Sequence, residues 1–326
     1  MPTTYSDKLI TLVGGSGFIG RHVVKSLAER GYRIRVASRR PDLAGHLIPL
    51  GDSGQVVPVQ ANIRFPASLA AVCEGAYAVI NLTGVLFQAG GQNFDALHVQ
   101  GAEACARAAK TAKAHLFIQF SAIGADAEGE SAYARSKAEG EAKALLAFPG
   151  AIIIRPSIVF GPEDNFFNQF AQMARFAPGL PLIGGGKTVF QPVFAGDVAK
   201  AVAILVDRGV ADGKIYELGG PEKLSFKQIL QFVLKTTQRS RLLVPLPFGL
   251  ASMIGAVAGL FPKPLITTDQ VVSLKTDNVV SADAVSTRRT LEGLGITPGS
   301  VEAIVPAYLY RFRKAGQFTP PSTTPE

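Results

Sequence analysis

Leu12-Val13-Gly14-Gly15-Ser16-Gly17-Phe18-Ile19-Gly20 is the stretch on which the fold of this chain turns. The short apolar run Leu9–Val13 leads into it and reads as a buried strand. Behind it, Ile19–Arg30 sets Ile19, Val23, Val24 and Leu27 on one helical stripe, and Gly31 stops the helix. Glycine is needed between such a strand and helix because the turn is tight and a pyrophosphate must come close to the backbone. The helix N-terminus then offers free N–H groups and the positive end of its dipole. Gly14, Gly15, Ser16, Gly17, Phe18, Ile19 and Gly20 therefore form a candidate dinucleotide cradle. The plainer alternative is an empty turn of the same shape.

The second apolar run, Ile34–Ala37, selects the cofactor through the three residues at its end, Ser38-Arg39-Arg40. A site for NAD usually carries an Asp or Glu there, which holds the ribose 2′-hydroxyl and repels a 2′-phosphate. A hydroxyl and two guanidinium groups can instead bind a 2′-phosphate by charge-assisted hydrogen bonds. NADPH is the expected cofactor; the competing reading is two arginines that merely solvate a loop before Pro41.

Working outward, further apolar runs follow at Val56–Gln60, Ala78–Leu82, Leu116–Ser121 and Ala151–Arg155, with amphipathic stretches at Phe94–Thr111 and Ser131–Ala147 between them. Near-continuous Val, Ile, Leu and Phe is the pattern of parallel strands buried on both faces. The alternation predicts an α/β protein with a doubly wound parallel sheet of Rossmann type. After Pro156 the rhythm breaks. Val189–Val193 and Ile215–Leu218 are expected to return to the sheet, with a helix over Asp197–Asp207 between them. Residues 1–165 and 187–220 are assigned to the dinucleotide-binding domain, and 166–186 with 221–315 to a smaller, mainly helical C-terminal lobe. Residues 316–326, polar and holding three prolines, read as a flexible tail.

Composition narrows the function. The formal net charge of +8 suits anionic ligands, an acidic partner or an anionic membrane surface. The basic residues are scattered, so nothing argues for nucleic acid. Cys73 and Cys105 form no CxxC and fit a reducing compartment, and the four isolated histidines suggest no metal site. No signal or transit peptide is readable at the first residues, which gives a cytosolic expectation. Leu242–Pro262 is uncharged, but its prolines confine a helix to Phe248–Phe261, about 21 Å long and too short for a bilayer core of roughly 30 Å. It is read either as a buried helix or as an interfacial or partner-facing one.

These motifs resemble the extended and atypical short-chain dehydrogenase/reductase superfamily over roughly Leu9 to Gly220. The glycine turn, Asn81-Leu82-Thr83-Gly84, Tyr133-Ala134-Arg135-Ser136-Lys137, Arg155-Pro156-Ser157 and Gln191-Pro192-Val193-Phe194-Ala195-Gly196-Asp197 carry the resemblance. It implies cofactor contacts at Asn62, Ile63, Leu82, Thr83, Gly84, Ser121, Tyr133, Lys137, Pro156 and Ser157, with Asn62 standing where the family usually has Asp. Tyr133 and Lys137, four apart on a helix, share a face, as the acid–base pair of active members does. The family's oxyanion-holding Ser or Thr aligns with Ala122. Losing one such donor typically costs on the order of 10²–10³ in rate. Tyr133 and Lys137 are thus expected to be vestigial for catalysis while still serving the cofactor.

Within the superfamily the chain is similar to the NADPH-binding accessory subunits of respiratory complex I, in bacterial form. Phe160-Gly161-Pro162-Glu163-Asp164-Asn165-Phe166-Phe167-Asn168, Gly186-Lys187-Thr188-Val189-Phe190 and Leu274-Lys275-Thr276-Asp277-Asn278-Val279-Val280-Ser281 carry that likeness. It implies a mainly structural NADPH, other complex I subunits as partners, peripheral contact with the membrane surface, and a place on the cytoplasmic side of the bacterial inner membrane. A free-standing NADPH-dependent reductase, epimerase or dehydratase, and a regulatory or RNA-associated relative, are the competing readings.

Overall fold

The computed structural model describes residues 6–88, 90–259 and 266–314. The first half alternates as expected: β1 (Leu9–Val13), α1 (Phe18–Ala28), β2 (Arg33–Ser38), β3 (Val56–Gln60), α2 (Pro66–Cys73) and β4 (Ala78–Asn81). One π-helical turn at Asp95–Val99 then opens α3 (Gln100–Thr111), followed by β5 (Leu116–Phe120), α4 (Ala132–Ala147) and β6 (Ile152–Pro156).

The chain next leaves the sheet through β7 (Val159–Phe160), α5 (Phe167–Phe176), β8 (Gly179–Ile183), β9 (Val189–Phe190) and β10 (Val193–Phe194). It comes back through α6 (Ala195–Arg208) to β11 (Ile215–Leu218). The remainder is β12 (Leu224–Ser225), α7 (Phe226–Thr236), β13 (Leu242–Leu246), α8 (Phe248–Ala258), α9 (Thr268–Ser273), α10 (Ala282–Ser286) and α11 (Val301–Leu309).

Seven strands form one sheet in the order β11-β6-β5-β4-β1-β2-β3, with every pairing parallel. This is the doubly wound architecture that the sequence implies. Strand alternation divides the core between the two faces. Ile10, Leu12, Ile80 and Ile118 pack with α1 and α6 on one side. Val13, Val79 and Phe117 pack with α2, α3 and α4 on the other. A third cluster lies beside the sheet, where Phe160 and Phe167 meet Ile229, Val233, Val305 and Leu309.

Two expectations need correction. Val189–Val193 does not return to the sheet: Pro192 splits it into β9, paired antiparallel with β12, and β10, paired with β7. A proline in mid-run cannot donate to a ladder, so the run is interrupted at Pro192. The buried reading of the 248–261 helix also fails. Only Ala251 and Gly255 of α8 are buried, whereas Leu250, Met253, Ile254 and Val257 are 46–68% exposed. The end of that expected helix at 260–261 and the tail at 316–326 lie outside the described residues. Among those described, no helix is long and apolar enough to cross a membrane.

Candidate cofactor site

The C-terminal ends of β1, β2, β4, β5 and β6 place most of the expected residues along one edge of the sheet, where the strand order reverses about β1. Gly14 takes φ +78°, open only to glycine, and a Cβ there would lie 2.9 Å from Thr83 Oγ1. A Cβ on Gly20 would meet Gly15 O at 2.2 Å, so the helix can press against the turn only without a side chain. Gly17 differs: a Cβ would approach only Gly14 O, at 3.6 Å, leaving open space beside the backbone. No side chain caps α1 at Gly17 and no acidic residue occupies its first turn. The positive helix end therefore remains available to an anion.

Two buried hydroxyls, those of Ser38 and Ser121, have no hydrogen-bond partner among the described residues. Such groups are rare, because an orphaned buried donor costs about 1–3 kcal/mol. They stand at the ends of β2 and β5, where a dinucleotide's 2′-phosphate and nicotinamide half would lie. Arg39 is exposed beside Ser38. Arg40 instead grips Asp42 at 2.7 Å in an exposed bidentate pair. The acid that the strand end lacks is thus present two residues further on, holding one of the two expected arginines.

Near the nicotinamide end, buried polar groups organise the loops. Asn81 Nδ2 donates to Gln119 Oε1 at 2.9 Å, and Asn81 Oδ1 accepts from Thr83 N–H, shaping the Leu82-Thr83-Gly84 turn. Lys137 Nζ donates to Phe120 O at 3.2 Å and sits 5.9 Å from the Tyr133 ring centroid. A Cβ on Gly84 would come within 3.3 Å of that ammonium, so glycine leaves it room. Burial lowers the Lys137 pKa to about 8 against the opposing pull of Glu141. Burial and then the Asp269 charge raise Tyr133 to about 12. Ala122, beside Ser121, supplies no donor.

His98 joins this cluster although no sequence motif assigns it a role. Its Nε2 accepts from Val85 N–H at 3.0 Å, so Nδ1 carries the proton and donates to Ser136 Oγ at 2.9 Å. Ser136 Oγ donates in turn to Tyr133 O at 2.8 Å. Burial and the nearby Lys137 charge lower the His98 pKa to about 3, so the ring is neutral. It reaches this position because the π-helical turn widens the start of α3, a feature that periodicity does not encode. Asp269 likewise carries no sequence signal. It accepts from Ser131 Oγ, Ala132 N–H and Tyr133 N–H at 2.6–3.1 Å and so caps α4 from α9, far along the chain.

Beyond the end of β3 a cavity of about 280 Å³ is lined by Ile63, Arg64, Ala96, Gln100 and Gly101. Asn62 precedes this lining in the chain, and its side-chain Oδ1 accepts from Arg64 N–H at 3.1 Å. Ser157 stands apart from the remaining candidates: its hydroxyl donates to Asn278, at 2.6 Å to Oδ1 and 3.0 Å to O, which ties the end of β6 to the C-terminal segment. Pro156 closes β6 and pairs with Leu218. Glycine cradle, orphaned hydroxyls and buried ammonium together fit a nicotinamide dinucleotide.

The chain belongs to the NAD dependent epimerase/dehydratase family, which it matches over residues 10–219. It is similar to the NADH dehydrogenase [ubiquinone] 1 alpha subcomplex subunit 9 of Arabidopsis thaliana, a mitochondrial protein, at 35% identity over 96% of this chain and 80% of that protein. A ceramide reductase of Caulobacter vibrioides is 32% identical over 60% of each chain. Among solved structures, a dTDP-glucose 4,6-dehydratase of Streptomyces venezuelae with NAD bound superposes with a TM-score of 0.70, covering 93% of this chain and 96% of that one at 21% identity.

Proposed function

We propose that the chain is an NADPH-binding accessory subunit of a respiratory complex I, an NADH:quinone oxidoreductase, and that its cofactor serves mainly as a structural ligand. Its place is peripheral, on the cytoplasmic side of a bacterial inner membrane, against other subunits of the enzyme. One observation carries the reading: the residues along the sheet edge fit a dinucleotide, while an alanine stands where the family's oxyanion donor is expected. Gly17 leaves open space, and Ser38 and Ser121 hold hydroxyls with no protein partner among the described residues. Ala122 gives no side-chain donor at the position aligned with the family's oxyanion-holding Ser or Thr. Similarity to subunit 9 over nearly the whole chain supports the partner.

NADPH is favoured over NADH by Ser38 and Arg39, the hydroxyl buried and orphaned and the guanidinium exposed and free of any ion pair among the described residues. The residues that would hold the dinucleotide are the Gly14–Gly20 turn at the pyrophosphate, Ser38 and Arg39 at the 2′-phosphate, and Lys137 with Ser121 at the nicotinamide half. A bound nicotinamide would supply hydride chemistry; here Lys137 orients and His98 stays neutral. The second reading, a free-standing reductase, is favoured by the intact Tyr133–Lys137 pair and the likeness to a ceramide reductase.

Gentle solubilisation of native membranes separates the two. Comigration of this chain with NADH:quinone oxidoreductase, and less assembled enzyme when the chain is deleted, are expected. Robust NADPH oxidation by the free protein that disappears in Tyr133→Phe, with no comigration, would establish the reductase instead.

A further inference from the structure

The outer face of α8 is built inside out. Leu250, Met253, Ile254 and Val257 fall at i, i+3, i+4 and i+7, the spacing of a stripe that ordinarily faces a core, yet each is 46–68% exposed. The helix packs inward through its smallest residues, and a Cβ on Gly255 would lie 2.8 Å from Thr268 N at the start of α9. The strand that leads into α8 repeats the arrangement, with Leu242 74% and Val244 48% exposed on an edge. Contiguous apolar surface of this kind marks an interaction site.

Charge decides what covers it. Between Glu222 and Asp269 the chain holds six Lys and Arg (Lys223, Lys227, Lys235, Arg239, Arg241 and Lys263) and no Asp or Glu. Arg241 Nε donates to Ala174 O and Arg239 Nε to Phe312 O, both at 2.9 Å, so these guanidiniums are held by backbone carbonyls and not by carboxylates. Arg175 lies 5.4 Å from the ring of Phe176, itself 73% exposed. The guanidinium of Arg239 is disfavoured by burial first and then by the neighbouring charges of Arg241 and Arg175. Arg241 adjoins the exposed Leu242 and Arg175 the exposed Phe176, and like charges without a carboxylate partner among the described residues, next to such apolar side chains, call for an anionic counter-surface with an apolar interior.

We infer that β13 and α8, with Arg175, Arg239 and Arg241, form a surface that binds anionic phospholipid, the arginines at the headgroup phosphates and the apolar stripe at the acyl boundary. At 11 residues, about 16 Å long, α8 lies in the interface and does not span it. The inference deepens the accessory-subunit reading and rests on it only in placing a membrane nearby.

The test is flotation of the purified full-length protein with vesicles of phosphatidylglycerol and phosphatidylcholine, against vesicles of phosphatidylcholine alone. Binding is expected only to the anionic vesicles, weakening as salt is raised. Met253→Asp with Val257→Asp should lower it about tenfold or more, since burying one apolar side chain contributes about that factor. Arg175→Gln should lower it less and flatten the salt dependence. NADPH binding, retained in each variant, shows that the protein is folded. Absence of vesicle binding, or binding unchanged by the double variant, overturns the inference. If the chain ignores vesicles yet comigrates with the delipidated oxidoreductase, the face covers a protein subunit: the lipid surface is then wrong and the accessory reading stands. Lipid-independent self-association that the double variant abolishes would assign the face to a second copy and would equally overturn it.

Discussion

Gly17 is a residue at which the cofactor reading can be tested with little disturbance of the fold. A Cβ there meets only Gly14 O at 3.6 Å, so the protein itself tolerates a side chain that a pyrophosphate would not. Gly17→Val should fold, lose bound NADPH and lose the thermal stabilisation that the nucleotide confers; unchanged cofactor content would refute the cradle. The arginines separate in the same way. Arg39→Ala should weaken NADPH about tenfold, or ~1.4 kcal/mol, with NADH little affected. Arg40→Ala should do less, because Arg40 is already engaged by Asp42. Equal losses for both nucleotides would argue against a 2′-phosphate site. Lys137 gives a pH dependence. Its folded pKa, about 8, is depressed, so the ammonium is present below that value and lost above it. NADPH affinity measured by nucleotide fluorescence should therefore fall as pH rises through about 8, and the fall should vanish in Lys137→Met. Such residues were legible because chemistry and spacing named them; Asp42 and Asn278 were not, since their roles depend on loops that bring distant atoms together.

Among the elements, the N-terminus of α4 shows how the lobe reaches the site. Asp269, itself on the short helix α9, accepts from the first N–H groups of α4, as an N-cap side chain would. Asp269→Asn should cost about 1 kcal/mol, lower the melting temperature by a few degrees and loosen the Tyr133–Lys137 face; an unchanged melting curve would show the cap to be idle. The sheet strands could be read from sequence because each is a nearly continuous apolar run. The lobe strands could not, being two residues long at β7, β9, β10 and β12 and paired across distant segments. Burial of α8 was open for another reason: its apolar content fits a core and an interface equally, and only the position of Ala251 and Gly255 tells which face turns inward.

Over the whole molecule, aromatic rings run unbroken from the glycine turn into the lobe: Phe18 to His22, His22 to Phe194, Phe194 to Phe160, and Phe160 to Phe167, at centroid separations of 5.8–6.0 Å. Arg21 on α1 reinforces the link by its ion pair with Glu163 at 2.8 Å. A ligand that orders the α1 N-terminus thereby bears on the lobe, and saturating NADPH should raise the melting temperature of both together. At one hundred times its Kd the nucleotide contributes about 2.7 kcal/mol. Calorimetry in which only part of the transition moves would show them to be independent. The distinctive Phe160–Asn168 stretch was legible as a signature but not as this joint, because its partners lie about 140 residues away on either side: Arg21 towards one terminus and, through Asp164, Tyr308 towards the other, at 2.6 Å. That span governs the order of biosynthesis. The first six sheet strands can assemble as they leave the ribosome, but Phe160 and Phe167 find their cover of Val305 and Leu309 only when the last helix emerges. From the synthesis of Phe160 until α11 follows, the phenylalanine cluster has Phe194 and Phe232 against it but lacks the cover of Val305 and Leu309, and apolar surface left open in that interval is the kind that chaperones hold.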